Sequence, residues 1–580
     1  MQFAKAILQY DDQTVEFPFN KMTFFDELYV DFKQIDQGNY QTYHLAIHPK
    51  QTIQIKKLSL VFNHAYLSNE DPRIFCNGYQ SWSESREYQF GEKIPTLKFW
   101  AKNRQYFGDE HIKEIPRGKN ILHSWTYTYI KNNLPNRQAG NNFTFLGSLK
   151  ENAAFTYFIH DENAQQLIVE KDCSGLELSH SFPILDLFVG QGKEQPVFDQ
   201  WKNEMDLPLL RAQPSTGWTS WYNYYTDISE EIILKNLNAF SEKNTPLDYI
   251  QIDDGYQTQV GDWLSIKPSF PNGMAHVAQK IKQANYKAGI WLAPFICDAK
   301  SEIFKQKKHW LVNGKNGNPF VAGDIKFWGG NFYVLDFYQK EVQDYLIQVI
   351  GFFTKKWGFD FLKLDFLYAV CILPTKNKTR GQIMHDAMEF LKIQAGDKMI
   401  LGCGVPLGSA FGKVDFCRIG ADVHLQWEDR LQRFNGNRER VSTLLSLRST
   451  LGRWQLNNRV FHNDPDVFIL RNENNKLTPT QQYTLLIINR LCGNLVFTSD
   501  LAAEYTTEQW AEFELIYQLQ NSEVKEVQNL TNDKYLISFN QGGKRFMAAC
   551  NLSNKKTSFL VKKQQIELEP YESIILKNRS

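Results

Sequence analysis

The sequence has neither an excess of charge of one sign nor a long apolar run. Its 580 residues include 65 basic and 64 acidic residues, a balance that disfavours a polybasic surface for nucleic acid or anionic lipid. No apolar run approaches the roughly 20 residues of a membrane-spanning helix. The first residues, MQFAKAILQYDDQTVEF, lack a basic stretch followed by an apolar core, so no secretory signal is predicted. We expect a soluble, cytoplasmic protein without a nucleic-acid or membrane partner.

Several motifs of common enzyme classes are also missing. The eight cysteines are scattered, with no CxxC pair and no zinc-type spacing. There is no GxSxG turn of a serine hydrolase, and the glycine-rich stretch GCGVPLG lacks the Lys-Ser/Thr ending of a phosphate-binding loop. The sequence therefore predicts reduced thiols, no cofactor and no metal ion.

The pattern of apolar residues changes twice along the chain and predicts three regions. Short alternating stretches indicate a large β-domain over residues 1–205 and a small C-terminal antiparallel β-sandwich over 506–580. Between them, residues 206–505 alternate apolar strands with polar helices. Eight strands in this span are typical of a (β/α)₈ TIM barrel. The strands are predicted in TGWTSWY, LDYIQIDD, KAGIWLAPF, FDFLKLDFL, MILGCGVP, FCRIGAD, RVFHNDPDVFIL and NLVFTSD.

The fourth of these strands, within FDFLKLDFLY, contains two charged residues in an otherwise apolar run. Side chains alternate along a strand, so Lys363 and Asp365 point to the same face. A buried ion pair that stabilises the strand end is one interpretation. However, polar or functional side chains also fall near the ends of the second, third, fifth and sixth strands, where barrel enzymes place their active sites. These residues are Asp253, Asp254, Trp291, Cys403, Arg418 and Asp422. Their convergence favours an active site.

Two aspartates on separate strands, without a histidine partner, suit glycoside hydrolysis, in which one carboxylate attacks and the other donates a proton. A cation held by Asp253, Asp254 and Asp365 is the alternative. It is disfavoured because His424 and His462 lie beyond or beside the strand ends, where they do not complete a metal site.

The same motifs resemble those of the α-galactosidases of glycoside hydrolase family 36. The stretches GWTSWYNYY, IQIDDGYQ, GIWLAPF, FDFLKLDFLY, LGCGVPLGSAFGKVDFCRIGAD and NDPD occur in the order and at the spacing of that family, and NGYQSWSES resembles its N-terminal loop. The resemblance implies an N-terminal β-supersandwich before the barrel and a retaining, exo-acting α-galactosidase, with Asp365 as nucleophile and Asp422 as general acid/base. The substrate-binding residues that it implies are Trp82, Trp221, Tyr222, Asp253, Asp254, Trp291, Lys363, Cys403 and Arg418.

Some alternatives stay open at this stage. Thr219 and Val423 replace the Cys and Thr that are common in the family. Trp82 alternatively packs only within the β-domain, and Cys403 is alternatively a small apolar core residue. Asp464 and Asp466 are interpreted as turn-forming residues. Rival functions are an α-N-acetylgalactosaminidase, a raffinose-synthase-like galactosyltransferase and a non-catalytic sugar-binding protein. The sequence leaves the aglycone and a homo-oligomeric state undetermined.

Overall fold

The structure, a computed structural model, describes residues 1–64, 72–89, 91–101, 107–132 (backbone only at 132), 143–374, 377–531, 533–561 and 564–577. Its central feature is a parallel sheet made of the eight predicted strands, in chain order. We number them β1 to β8. Their bounds are Ser215–Thr219, Tyr249–Ile252, Lys287–Leu292, Phe361–Leu364, Met399–Gly402, Phe416–Arg418, His462–Asp464 with Val467–Phe468, and Leu495–Thr498. The predicted TIM barrel is therefore confirmed.

The sheet closes on itself through β7, which is broken into two halves. His462–Asp464 pairs with β6, and Val467–Phe468 pairs with β8 on the other side. Between the halves, Pro465 interrupts the strand and Asp466 adopts a left-handed backbone conformation with φ of 77°. Proline cannot donate a ladder hydrogen bond, and aspartate tolerates the left-handed region better than most residues. This turn therefore allows β7 to pair with β6 through its first half and with β8 through its second half.

Helices follow the barrel strands, as the sequence pattern predicts. Three of them begin at a Thr-x-x-Gln capping box, in which each side chain satisfies a backbone N–H that the helix leaves free. The α-helices are Glu194–Glu204, Trp221–Tyr224, Glu230–Glu242, Gly273–Gln283, Glu302–Gln306, Lys340–Gly351, Arg380–Ala395, Leu407–Ala410, Arg430–Phe434, Thr443–Gly452, Pro479–Cys492 and Thr507–Gln518. Among the described residues, none of these helices is both long and apolar enough to cross a membrane.

Two antiparallel sheets precede the barrel, and their facing side chains share one apolar core. The first sheet has the order Gln13–Phe17, Gln2–Tyr10, Ile53–Asn63, Gln166–Lys171, Thr156–Asp161 and Ile121–Trp125, with Glu177–Leu178 also paired to Ile53–Asn63. The second has the order Lys21–Phe24, Leu28–Asp36, Tyr40–Pro49, Phe182–Gly192, Phe143–Ser148, Tyr127–Asn132, Pro72–Cys76 and Arg86–Gln89.

Smaller sheets follow β3 and β8. The crossover from β3 to β4 contains an antiparallel sheet of Ile296–Asp298, Gly330–Val334 and Val321–Ile325. After the barrel, Glu523–Thr531, Lys534–Gln541, Lys544–Asn551 and Ser573–Lys577 form a second antiparallel sheet, and Thr557–Val561 pairs with Gln564–Leu568. A TIM barrel with flanking β regions is thus established. The predicted division at residues 205 and 505 stays a prediction.

We predict that Gly217→Ala destabilises the barrel. A Cβ on Gly217 of β1 would lie 2.5 Å from the Phe497 ring and 2.7 Å from the Tyr249 carbonyl oxygen, and such overpacking costs about 1–3 kcal/mol. Gly351→Ala is the matched control, because nothing lies within 4 Å of its added Cβ and alanine favours the helix. Urea unfolding compares the two variants, and equal midpoints would contradict the prediction.

Candidate active site

A cavity of about 510 Å³ opens at the carboxyl ends of the barrel strands. Side chains from the N-terminal region, the barrel strands and the β3–β4 crossover form its wall. The predicted residues on this wall are Trp82, Trp221, Tyr222, Asp253, Asp254, Trp291, Lys363, Asp365 and Asp422. Cys403 and Arg418 are buried behind the wall.

Asp365 follows β4, and each of its carboxylate oxygens accepts one hydrogen bond. The Trp291 indole donates to Oδ2 over 2.9 Å, and the backbone N–H of Phe366 donates to Oδ1, also over 2.9 Å. Burial raises the pKa of Asp365, while Lys363 and the indole bond oppose the rise. Phe366 has φ of 53°, a conformation that is strained for a bulky residue. The backbone is thus bent directly after the candidate nucleophile.

Lys363 forms an ion pair with Asp253, which directly follows β2. Its ammonium lies 2.7 Å from Asp253 Oδ2, and both side chains are buried. Although burial opposes it, the charges of Asp253 and Asp365 raise the pKa of Lys363. Gln251 also donates to Asp253 Oδ2 over 3.1 Å, and the Thr219 hydroxyl donates to Gln251. Thr219 therefore acts beneath the cavity, in a hydrogen-bond chain that leads to Asp253.

Asp254 is buried, and within the described part of the chain two neutral side chains donate hydrogen bonds to its carboxylate. The Trp328 indole donates to its Oδ2 over 2.7 Å, and the Gln257 amide donates to its Oδ1 over 2.5 Å. Burial raises the pKa of Asp254 to about 6, and the charge of Asp253 adds to the rise against these two bonds. A carboxylate held in this way is ready to accept further hydrogen bonds from a ligand hydroxyl.

Arg418 lies behind Asp422 and contacts three carboxylates. Its Nη1 is 2.6 Å from Asp422 Oδ1, its Nε is 2.9 Å from Asp464 Oδ2, and its Nη2 is 2.8 Å from Asp466 Oδ1. Asp464 and Asp466 thus do more than form the predicted turn. Cys403 is fully buried, and burial raises the pKa of its thiol well above the usual value. The substrate contacts implied for Arg418 and Cys403 remain predictions.

The N-terminal region contributes Trp82 through a loop that Arg453 holds against the barrel. The fully buried guanidinium donates to Asn77 Oδ1 and to the carbonyl oxygens of Gln80, Ser81 and Ile419, over 2.6–3.1 Å. The Trp82 ring then packs edge-on against Phe366, with 5.0 Å between ring centroids. Trp82 therefore faces the cavity and does not pack only within the β-domain.

Sequence reasoning missed several residues of the wall, mostly in connecting segments. Trp328 comes from the β3–β4 crossover, and no sequence pattern singled it out. Glu439 likewise comes from the connection after β6. Burial, followed by the nearby Glu110, raises the pKa of Glu439 to about 8. The additional wall residues are Phe107, Tyr225, Thr226, Ile325, Phe327, Trp328, Phe366, Val423, His424, Glu439 and Val441.

Comparison with known proteins shows that the barrel is similar to the TIM barrels of glycosidases. Residues 210–485 match a family model described as the glycosyl hydrolases family 31 TIM-barrel domain. The chain also has the fold of α-galactosidase TtGalA from Thermus thermophilus, solved with p-nitrophenyl α-D-galactopyranoside. That likeness has a TM-score of 0.68 and 23% identity over 93% of this chain and 98% of the other.

Among curated proteins, the chain is similar to α-galactosidases. AgaA of Geobacillus stearothermophilus is 24% identical over 139 residues, and Mel36A of Lactobacillus acidophilus is 25% identical over 153 residues. The aligned segments cover 23% and 25% of this chain, and only 18% and 20% of those relatives. The structure of AgaA, a family 36 enzyme, aligns with a TM-score of 0.66 and 12% identity over 95% of this chain and 80% of AgaA. The resemblance to family 36 α-galactosidases is therefore confirmed, whereas the family model names family 31.

We predict that Asp254→Asn stabilises the fold in a pH-dependent way. An unfolded carboxyl titrates near 3.9, whereas burial raises the pKa of Asp254 to about 6. The folded state therefore binds more protons in this window, and wild-type stability falls as pH rises from about 4 to 6. The advantage of Asp254→Asn should be about 2 kcal/mol larger at pH 7 than at pH 4. Urea unfolding at both pH values measures it, and an advantage independent of pH would contradict the assignment.

Proposed function

We propose that the chain is a retaining, exo-acting α-galactosidase that hydrolyses terminal α-D-galactosyl residues of melibiose- and raffinose-type oligosaccharides. The observation that carries the proposal is that two carboxylates from different strands, Asp365 and Asp422, share the wall of one cavity. Their charges interact, because Asp422 adds to the rise in the pKa of Asp365 beside the larger effect of burial. A pair of carboxyl groups on one cavity is the arrangement that glycoside hydrolysis requires.

In the proposed mechanism Asp365 attacks the anomeric carbon while Asp422 protonates the departing glycosidic oxygen. The product is a galactosyl ester of Asp365 and a free aglycone. Asp422, now ionised, then removes a proton from water, which attacks the anomeric carbon and releases Asp365. The indole of Trp291 and the N–H of Phe366 orient the Asp365 carboxylate. Neither step requires a cofactor or a metal ion.

The acids on the opposite part of the wall support recognition of galactose. Asp253 and Asp254 are both buried, and by resemblance they accept hydrogen bonds from the hydroxyls at C4 and C6. A sugar with a misplaced C4 hydroxyl would leave a buried carboxylate without this donor, which is costly. The aromatic wall, with Trp82, Trp221 and Trp328 among its members, supports packing against a sugar ring. The roles of Cys403 and Arg418 toward the C2 side belong to the same proposal.

The wider assignments are proposals as well. The shared core of the two N-terminal sheets supports a β-supersandwich over residues 1–205, followed by the barrel over 206–505 and a β-sandwich over 506–580. All eight cysteines are unpaired and buried, which supports a reducing, cytoplasmic location.

We expect α-galactosides to be hydrolysed at least about 10⁴-fold more efficiently than α-glucosides, as measured by kcat/KM. The measurement compares the p-nitrophenyl α-galactoside, α-glucoside and N-acetyl-α-galactosaminide, together with raffinose. Preference for the N-acetyl sugar would identify an α-N-acetylgalactosaminidase, and transfer of galactose to an acceptor in place of hydrolysis would identify a galactosyltransferase. Comparable turnover of glucoside and galactoside would contradict the assigned roles of Asp253 and Asp254.

We also expect retention of the anomeric configuration, because Asp365 forms a covalent intermediate. Proton NMR of the first-formed sugar should show α-galactose, and initial β-galactose would overturn the mechanism. Asp365→Gly should lose nearly all turnover and, with azide, give the β-galactosyl azide. Asp422→Gly should still form the intermediate from a substrate with a good leaving group, so azide should give the α-galactosyl azide. The two azide products distinguish the two roles.

A further inference from the structure

One buried guanidinium and three carboxylates form a cluster behind the candidate general acid. Arg418 divides its donors so that Nη1 contacts Asp422, Nε contacts Asp464 and Nη2 contacts Asp466. Arg418, Asp464 and Asp466 are almost fully buried, whereas one third of the Asp422 side chain is exposed toward the cavity. Of the three acids, only Asp422 can therefore meet a substrate, and the other two act through Arg418.

Asp466 is held firmly in this cluster. Its Oδ2 accepts hydrogen bonds from the Tyr222 hydroxyl and from the backbone N–H of Val423 over 2.8 Å. Its own backbone N–H donates to Asp464 Oδ1 over 2.8 Å. Its φ of 77° places it in the left-handed region, where the break in β7 turns the carboxylate toward Arg418. The geometry thus fixes a second acid next to the arginine that Asp422 uses.

The charges of the cluster do not balance. Burial raises the pKa of Asp466 to about 7. The charge of Arg418 opposes this rise, and the charges of Asp422 and Asp464 add to it. The hydrogen bond from Tyr222 also lowers this pKa. Asp422 faces Arg418, Tyr222 and, across the cavity, Asp365 and Tyr225. With one cation for three acids, a proton shared within the cluster reduces the repulsion between them.

We propose that Asp466 is a positioning residue for the general acid, because it competes with Asp422 for Arg418 and thereby allows Asp422 to keep its proton. The inference rests on the proposed function. If Arg418 paired with Asp422 alone, the cation would favour the ionised carboxylate, which cannot donate a proton. Asp464 and Asp466 supply the negative charge that offsets Arg418. Once Asp422 has given its proton to the glycosidic oxygen, Arg418 is positioned to stabilise the carboxylate that remains.

The test is Asp466→Asn, which keeps the size of the side chain and removes its charge. Raffinose, whose leaving group needs protonation, should lose at least about tenfold in kcat/KM, a part of the 10²–10⁴-fold that general acids supply. A 2,4-dinitrophenyl α-galactoside needs little protonation and should lose less than about threefold. The basic limb of the pH profile for raffinose should move down by about one pH unit. Asp464→Asn should shift the limb in the same direction and serves if Asp466→Asn fails to fold.

Asp248→Asn is the control, because Asp248 accepts a hydrogen bond from the Thr216 N–H at the opposite end of the barrel. It should leave both the substrate ratio and the pH limb unchanged. Equal losses on the two substrates with an unmoved limb would overturn the inference and leave Asp466 a purely structural residue. Absence of wild-type turnover would instead overturn the proposed function. In that case the infrared difference between wild type and Asp466→Asn at neutral pH still decides the matter: loss of a protonated-carboxyl band supports proton sharing, and no loss refutes it.

Discussion

Burial of carboxylates at the mouth of the barrel is the constraint on which the candidate site depends. Removing a carboxylate from water costs several kcal/mol unless charge or hydrogen bonds compensate. Two cations serve this purpose, with Lys363 bound to Asp253 and Arg418 bound to Asp422 and the two acids of β7. Lys363 and Arg418 are themselves buried. Each cation is held in place by its contacts with the acids that it neutralises.

Two further acids of the wall, Asp365 and Asp254, accept hydrogen bonds from indole N–H groups. Trp291 donates to Asp365 and Trp328 donates to Asp254. An indole is a donor without an acceptor, so it satisfies the carboxylate and presents the rest of its ring as an apolar surface. Trp291 and Trp328 therefore each have two structural roles, because the same side chain supplies part of the wall and a partner for a buried acid.

The sequence was sufficient to predict features that depend on local periodicity. Alternation within β4 correctly placed Lys363 and Asp365 on one side, and all eight barrel strands were predicted. Alternation within one strand cannot reveal which acid binds Lys363, because the contact with Asp253 joins β4 to the end of β2 across the barrel interior. Trp328 and Glu439 lie in connections that carry no periodic signal. Asp464 and Asp466 have the composition of a turn, and only the closed barrel brings them to Arg418.

The break in β7 links ring closure to chemistry. The two halves of this strand pair with β6 and β8, and the bend between them brings the side chain of Asp466 to Arg418. A chain whose barrel has not closed therefore lacks both the last strand pairing and the charge environment of Asp422. Under the proposed function, folding intermediates with an open sheet would be catalytically inactive, although every side chain is present. Under the proposed function, turnover would thus begin during biosynthesis only after the final barrel strand has been synthesised and paired, so that activity reports completed topology.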